Sequence, residues 1–98
     1  MKQVHMYIKG DVIGVGFRAW TKIQAKIIGV TGWVRNVFEH PDTFGKSGGV
    51  EVVFQGDDLK VEEIVEKAKE GPPVSRVDDV EIFYQHPKEI LEGFEIRK

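Results

Sequence analysis

Gln3-Val4-His5-Met6-Tyr7-Ile8-Lys9-Gly10-Asp11-Val12-Ile13-Gly14-Val15-Gly16-Phe17-Arg18-Ala19-Trp20-Thr21-Lys22-Ile23-Gln24-Ala25-Lys26-Ile27-Ile28-Gly29 changes its hydrophobic period once, and that change decides the fold. Over Gln3 to Lys9, Val4, Met6 and Ile8 face one way while Gln3, His5, Tyr7 and Lys9 face the other. A period of two predicts a half-buried strand. Three glycines, Gly10, Gly14 and Gly16, crowd the next seven residues and predict a loop. From Phe17 the stripe Phe17, Trp20, Thr21, Ala25 and Ile28 returns at three- and four-residue steps. The spacing predicts an amphipathic helix over 17–28, ended by Gly29.

The pattern continues outward. Val30 to Val37 predicts a second strand, with Val30, Gly32 and Val34 on one face. Val50, Val52 and Phe54 alternate with Glu51, Val53 and Gln55 as a third. Gly56-Asp57-Asp58 supplies a turn and an N-cap, and Glu62 and Glu63 follow in the first turns, where the helix dipole favours acids. Val61, Ile64, Val65 and Ala68 form the stripe of a second helix, which Gly71-Pro72-Pro73 stops. Val80, Ile82 and Tyr84 alternate as a fourth strand, and Phe94-Glu95-Ile96 predicts a short closing one. The order is β-α-β-β-α-β. Each helix has one apolar stripe, so both should cover one face of an antiparallel sheet, an α+β ferredoxin-like sandwich. The first and third strands should lie inside the sheet.

Ninety-eight residues make one small domain, taken as 1–98. The 41% hydrophobic and 31% charged fractions exclude a disordered tail, a collagen-like fibre and a coiled coil. No apolar run approaches the roughly 20 residues needed to cross a bilayer. Met1-Lys2-Gln3-Val4-His5 lacks the apolar stretch of a secretory signal, so the expectation is a soluble, cytoplasmic protein without membrane partners. The absence of cysteine removes disulfides, Cys-type zinc sites and thiol nucleophiles. His5, His40 and His86 fall in no metal-ligand spacing, so no metal is expected. Ser47 and Ser75 sit in no nucleophile elbow. A net charge of −2 argues against a nucleic-acid binder that works by neutralising phosphates.

Gly14-Val15-Gly16-Phe17-Arg18 is the first candidate for chemistry. Glycines let successive N–H groups point inward as an anion nest, and a helix N-terminus adds partial positive charge there. Arg18 brings a planar fork that matches phosphate oxygens. On the residues alone, a plain tight turn is an equal alternative. Gly45-Lys46-Ser47 mimics the end of a nucleotide P-loop, but His40 stands where the first glycine must be. Asn36, the only asparagine in the chain, is the second candidate. Its carboxamide both donates and accepts, so it can orient a water without titrating; a turn former is the alternative. Trp33 reads as sheet packing.

Together these segments resemble the acylphosphatase family. Its signature G-x-V-x-G-V-G-F-R reads here as Gly10-Asp11-Val12-Ile13-Gly14-Val15-Gly16-Phe17-Arg18, and G-W-V-x-N as Gly32-Trp33-Val34-Arg35-Asn36. Val50-Glu51-Val52, Gly56-Asp57, Gly71-Pro72-Pro73 and Phe94-Glu95-Ile96 match further stations in the same order, covering nearly the whole chain. The resemblance implies hydrolysis of acyl phosphates to a carboxylate and inorganic phosphate, without cofactor or metal. Gly14, Val15, Gly16, Phe17 and Arg18 would bind the phosphoryl group, and Arg18 and Asn36 would be catalytic, Asn36 by orienting the attacking water. Phosphate would be both product and inhibitor, and the protein is expected to be a monomer. Two departures stand out: Ile13 replaces the family's usual glutamine, and the connection over 37–49 is longer than the family's hairpin. The alternative reading is a phosphate-binding regulatory or nucleic-acid-binding module on the same fold. The latter needs aromatics on the open face of the inner strands. His5, Tyr7, Glu51 and Val53 should lie there, a poor stacking platform.

Overall fold

Val4, Met6 and Ile8 are fully buried, and the residues between them are only partly so. The computed structural model that shows this describes residues 1–38 and 48–98. Its strands are β1 (Lys2–Asp11), β2 (Thr31–Val37), β3 (Gly49–Gly56), β4 (Arg76–Gln85) and β5 (Phe94–Ile96), and its helices α1 (Phe17–Ile28) and α2 (Asp58–Glu70). One five-stranded sheet runs in the order β4-β1-β3-β2-β5, so the first and third strands are indeed interior. β1 continues through Gly10 and Asp11, which read as loop in the sequence, because a register shift after Lys9 lets them pair with Val77 and Arg76.

Both helices lie on one face, and their stripes meet the sheet there. Phe17, Thr21 and Ala25 of α1 are buried, while Ile23 and Ile27 remain outside. The Thr21 hydroxyl donates to the Phe17 carbonyl at 2.8 Å, which satisfies a polar group inside the core. Asp57 caps α2, its carboxylate accepting from the Leu59 N–H, and Val61, Ile64, Val65 and Ala68 face inward. They close over Met6, Ile8, Val52 and Phe54, and the Phe54 ring stacks on Phe94 at 5.8 Å. Tyr84 keeps the phase of its strand but is half-exposed, under the Lys2 ammonium rather than under a helix.

The sheet is mixed, which corrects the expected antiparallel one. β1, β2, β3 and β4 pair antiparallel, but β5 runs parallel to β2, with Gly32 opposite Phe94 and Val34 opposite Ile96. The cause is the path after β4. The Gln55 carboxamide, on the helix-free face, donates to the Glu89 carbonyl and accepts from the Leu91 N–H, both at 2.8 Å. It ties the crossing segment over β3, and the chain then enters along the outer edge of β2 in the direction of β2.

That face also holds more aromatic surface than expected. His5 stacks on Tyr7, Trp33 meets His5 edge-on and Phe83 meets Tyr7 edge-on. At its centre Glu51 is only 6% exposed. Its carboxylate accepts from Arg35 Nε and lies against His5 Nε2, each at 2.6 Å. Burial, with Glu51 second, pushes the Tyr7 hydroxyl above its ordinary pKa. Among the described residues no helix is long and apolar enough to cross a membrane. His40 and Gly45-Lys46-Ser47 lie outside the described residues.

Candidate active site

The loop between β1 and α1 is pinned at alternate positions. Val12 is buried, and Ile13 and Val15 pack against the core, while Gly14 and Gly16 stay exposed. Gly14 has φ 80° and Gly16 φ 78°, both left-handed. A Cβ at either would meet nothing within 4 Å, so backbone conformation, and not space, selects glycine here. Only Val15 separates the two left-handed residues. They carry the chain around an open concavity and into α1.

Gly16 is also the N-cap of α1, and its carbonyl accepts from the Trp20 N–H at 3.0 Å. No side chain caps the first turn and no acid stands in it, so the positive end of the helix is left uncompensated. Arg18 projects from this turn, half-buried, and among the described residues no carboxylate pairs with it. The Phe17 ring points the other way: it is 1% exposed and packs edge-on against Trp20, which anchors the turn.

Across the opening stands Asn36. It lies within β2, opposite Val50 in the ladder, and so is no turn former. With Gly14, Gly16, Phe17 and Arg18 it lines a cavity of about 200 Å³. The structure thus gathers the sequence candidates at one place. Val15 is the exception in detail: its side chain packs on the core, which leaves its backbone amide as the only group it can offer. Ile13 is not in the described lining either and packs toward Gly48. Val12, Ala19 and Ile96, which sequence reasoning did not single out, complete an apolar wall. Ile96 arrives only through the pairing of β5 with β2, for which no local signal exists. Among the described residues the cavity offers backbone amides, one guanidinium and one carboxamide, a set suited to an oxyanion with a neighbouring water. No group of three His, Asp or Glu side chains among the described residues could hold a metal ion.

The chain is similar to known proteins along nearly its whole length. The sequence profile of the acylphosphatase family matches residues 4–96. The acylphosphatase of Trichormus variabilis is 45% identical over 96 residues, 98% of this chain and 86% of that protein. That of Thermococcus kodakarensis is 45% identical over 98 residues, covering 98% of both chains. The crystal structure of the acylphosphatase from Bacillus subtilis superposes with a TM-score of 0.87 at 30% identity, with both chains fully covered. Motif, fold and relatives coincide from one end of the sequence to the other, and the chain belongs to the acylphosphatase family.

Proposed function

We propose that this cavity hydrolyses the carboxyl–phosphate anhydride of acyl phosphates, with the loop as cradle and Asn36 as water holder. The observation that carries the reading is the lining shared by Arg18 and Asn36 around a space of about 200 Å³, room for a phosphoryl group with a water beside it. The amides of residues 14–18 and the Arg18 guanidinium bind the phosphoryl oxygens and stabilise charge on them as the bond breaks. Asn36 holds a water on the far side of phosphorus, in line with the scissile P–O bond. The water oxygen bonds to phosphorus, the P–O bond to the acyl group breaks, and its electron pair leaves on the carboxylate. That leaving group has a conjugate acid of pKa about 4, so no side chain has to protonate it. A phosphoryl oxygen takes the water's proton, which is consistent with a lining that contains no carboxylate or histidine among the described residues.

No step calls for a metal or cofactor, and the protein acts as a cytoplasmic monomer without nucleic-acid partners. The net charge of −2 supports the last point, since a binder of phosphate backbones works by neutralising them. The reading is tested by release of inorganic phosphate from acetyl phosphate, with Arg18→Ala as control. Turnover by the native chain and none by the variant is the expected result; equal rates in both would overturn it.

A further inference from the structure

A second and larger cavity, of about 440 Å³, adjoins the first and is lined by Arg18, Arg35, Asn36, Phe38, Arg97 and Lys98. Arg18 and Asn36 belong to both cavities. A substrate whose phosphoryl group sits in the smaller one can lead its acyl group past these two side chains into the larger. Four of the six described lining residues are cationic, in a chain whose net charge is −2. The parallel pairing of β5 with β2 brings them together. The Arg97 N–H donates to the Val34 carbonyl at 2.8 Å, which extends the register beyond Ile96 and sets 97 and 98 alongside Arg35 and Asn36.

These charges are only partly answered. Arg35 meets Glu51 through Nε, and Arg97 meets Glu95 through one terminal nitrogen, so each guanidinium keeps donors for another anion. Arg97 is further steadied over the Trp33 ring at 4.8 Å. Such a contact fixes a guanidinium plane without neutralising it. Among the described residues no carboxylate pairs with Arg18 or Lys98. Phe38 adds an apolar surface against which a short methylene chain can lie.

We propose that this cavity is the acyl subsite and that it selects acyl phosphates whose acyl group ends in a second anion, a carboxylate at the far end from the anhydride. The proposal rests on the hydrolase reading above and names its substrate class. Its test compares succinyl phosphate, which carries such a carboxylate, with acetyl phosphate, which does not. The phosphoryl group is the same in both, so the ratio of their kcat/KM values reports on the acyl end alone. The ratio should favour succinyl phosphate by roughly tenfold, the size of one hydrogen bond to a charged group. It should shrink as ionic strength rises from about 0.01 M to about 1 M, because the subsite is open to solvent. In Arg97→Gln the ratio should fall toward one through the KM for succinyl phosphate; Arg97→Lys should keep most of it, and Arg97→Glu should invert it. Equal kcat/KM for the two substrates in the native chain, or a loss in Arg97→Gln that is the same for both, overturns the subsite and leaves the hydrolase reading standing. Failure to turn over either substrate overturns that reading, and the subsite with it.

Discussion

Arg18 stands at the start of a helix whose first turn holds no acid, and its guanidinium meets no carboxylate among the described residues. Removing it should therefore cost catalysis and leave the core alone, since the packing of that turn belongs to Phe17. Arg18→Ala is expected to lose on the order of 10³-fold or more in kcat/KM, the scale on which an arginine stabilises phosphoryl transfer. Arg18→Lys should fail nearly as badly, because an ammonium keeps the charge but not the fork. A lysine variant of native activity would show that charge alone suffices. Asn36 separates from Arg18 by which constant moves. A group that acts on the water contributes only in the transition state, so Asn36→Ala should lower kcat by about 2.7–4 kcal/mol of barrier, with the inhibition constant for phosphate unchanged. Asn36→Asp keeps the size and sets a carboxylate beside the phosphoryl oxygens. It should lose both turnover and phosphate affinity, more at low salt than at high. Weakened phosphate binding with kcat preserved in Asn36→Ala would make this residue a clamp.

At the scale of the element, the cradle depends on a backbone that ordinary residues avoid. Gly16→Ala adds one methyl group to open space, yet at φ 78° it should cost about 1–2 kcal/mol, or drive the loop out of its left-handed turn. Either way phosphate affinity should fall, which isothermal titration would read. Asp57→Ala is the matching control: it removes a helix cap from the far side of the fold and should cost about 1 kcal/mol of stability with kcat/KM unchanged. An equal loss of phosphate binding in both variants would reduce the loop effect to general destabilisation. This contrast also marks what can be read from the sequence. The strand phase of Val4, Met6 and Ile8, the stripe of α1 and the cap at Asp57 are set by neighbours a few residues away, and all stand where the spacing put them. The glycine loop stands there only from Val12 on, because Gly10 and Asp11 joined β1 through a register shift against β4. The parallel docking of β5 depends on Gln55 holding residues 89 and 91 across the open face, 34 and 36 positions away in the chain. No local pattern encodes such a pairing. For the same reason Ile96, Arg97 and Lys98 escaped notice as cavity-lining residues, although Arg18 and Asn36 did not.

At the scale of the whole molecule, a chain with a net charge of −2 keeps one corner positive. Composition pointed away from anionic macromolecules, but it is blind to where charges gather. The gathering makes a linkage measurement decisive. Phosphate that binds only the folded chain adds about 2.7 kcal/mol to its stability at 100 times its dissociation constant. For a domain of this length each kcal/mol moves the midpoint by about 4–8 °C, so Tm should rise by roughly 10–20 °C at that concentration. General salting effects of phosphate act on the surface as a whole and would persist in any variant. A specific site behaves otherwise: Arg18→Ala should erase most of the rise while keeping its Tm in phosphate-free buffer near the native value, because Arg18 holds no structural ion pair among the described residues. The same titration with sodium chloride at matched ionic strength supplies the baseline. A rise of equal size in the native chain and in Arg18→Ala would place the phosphate elsewhere on the molecule, and the cradle would lose its ligand.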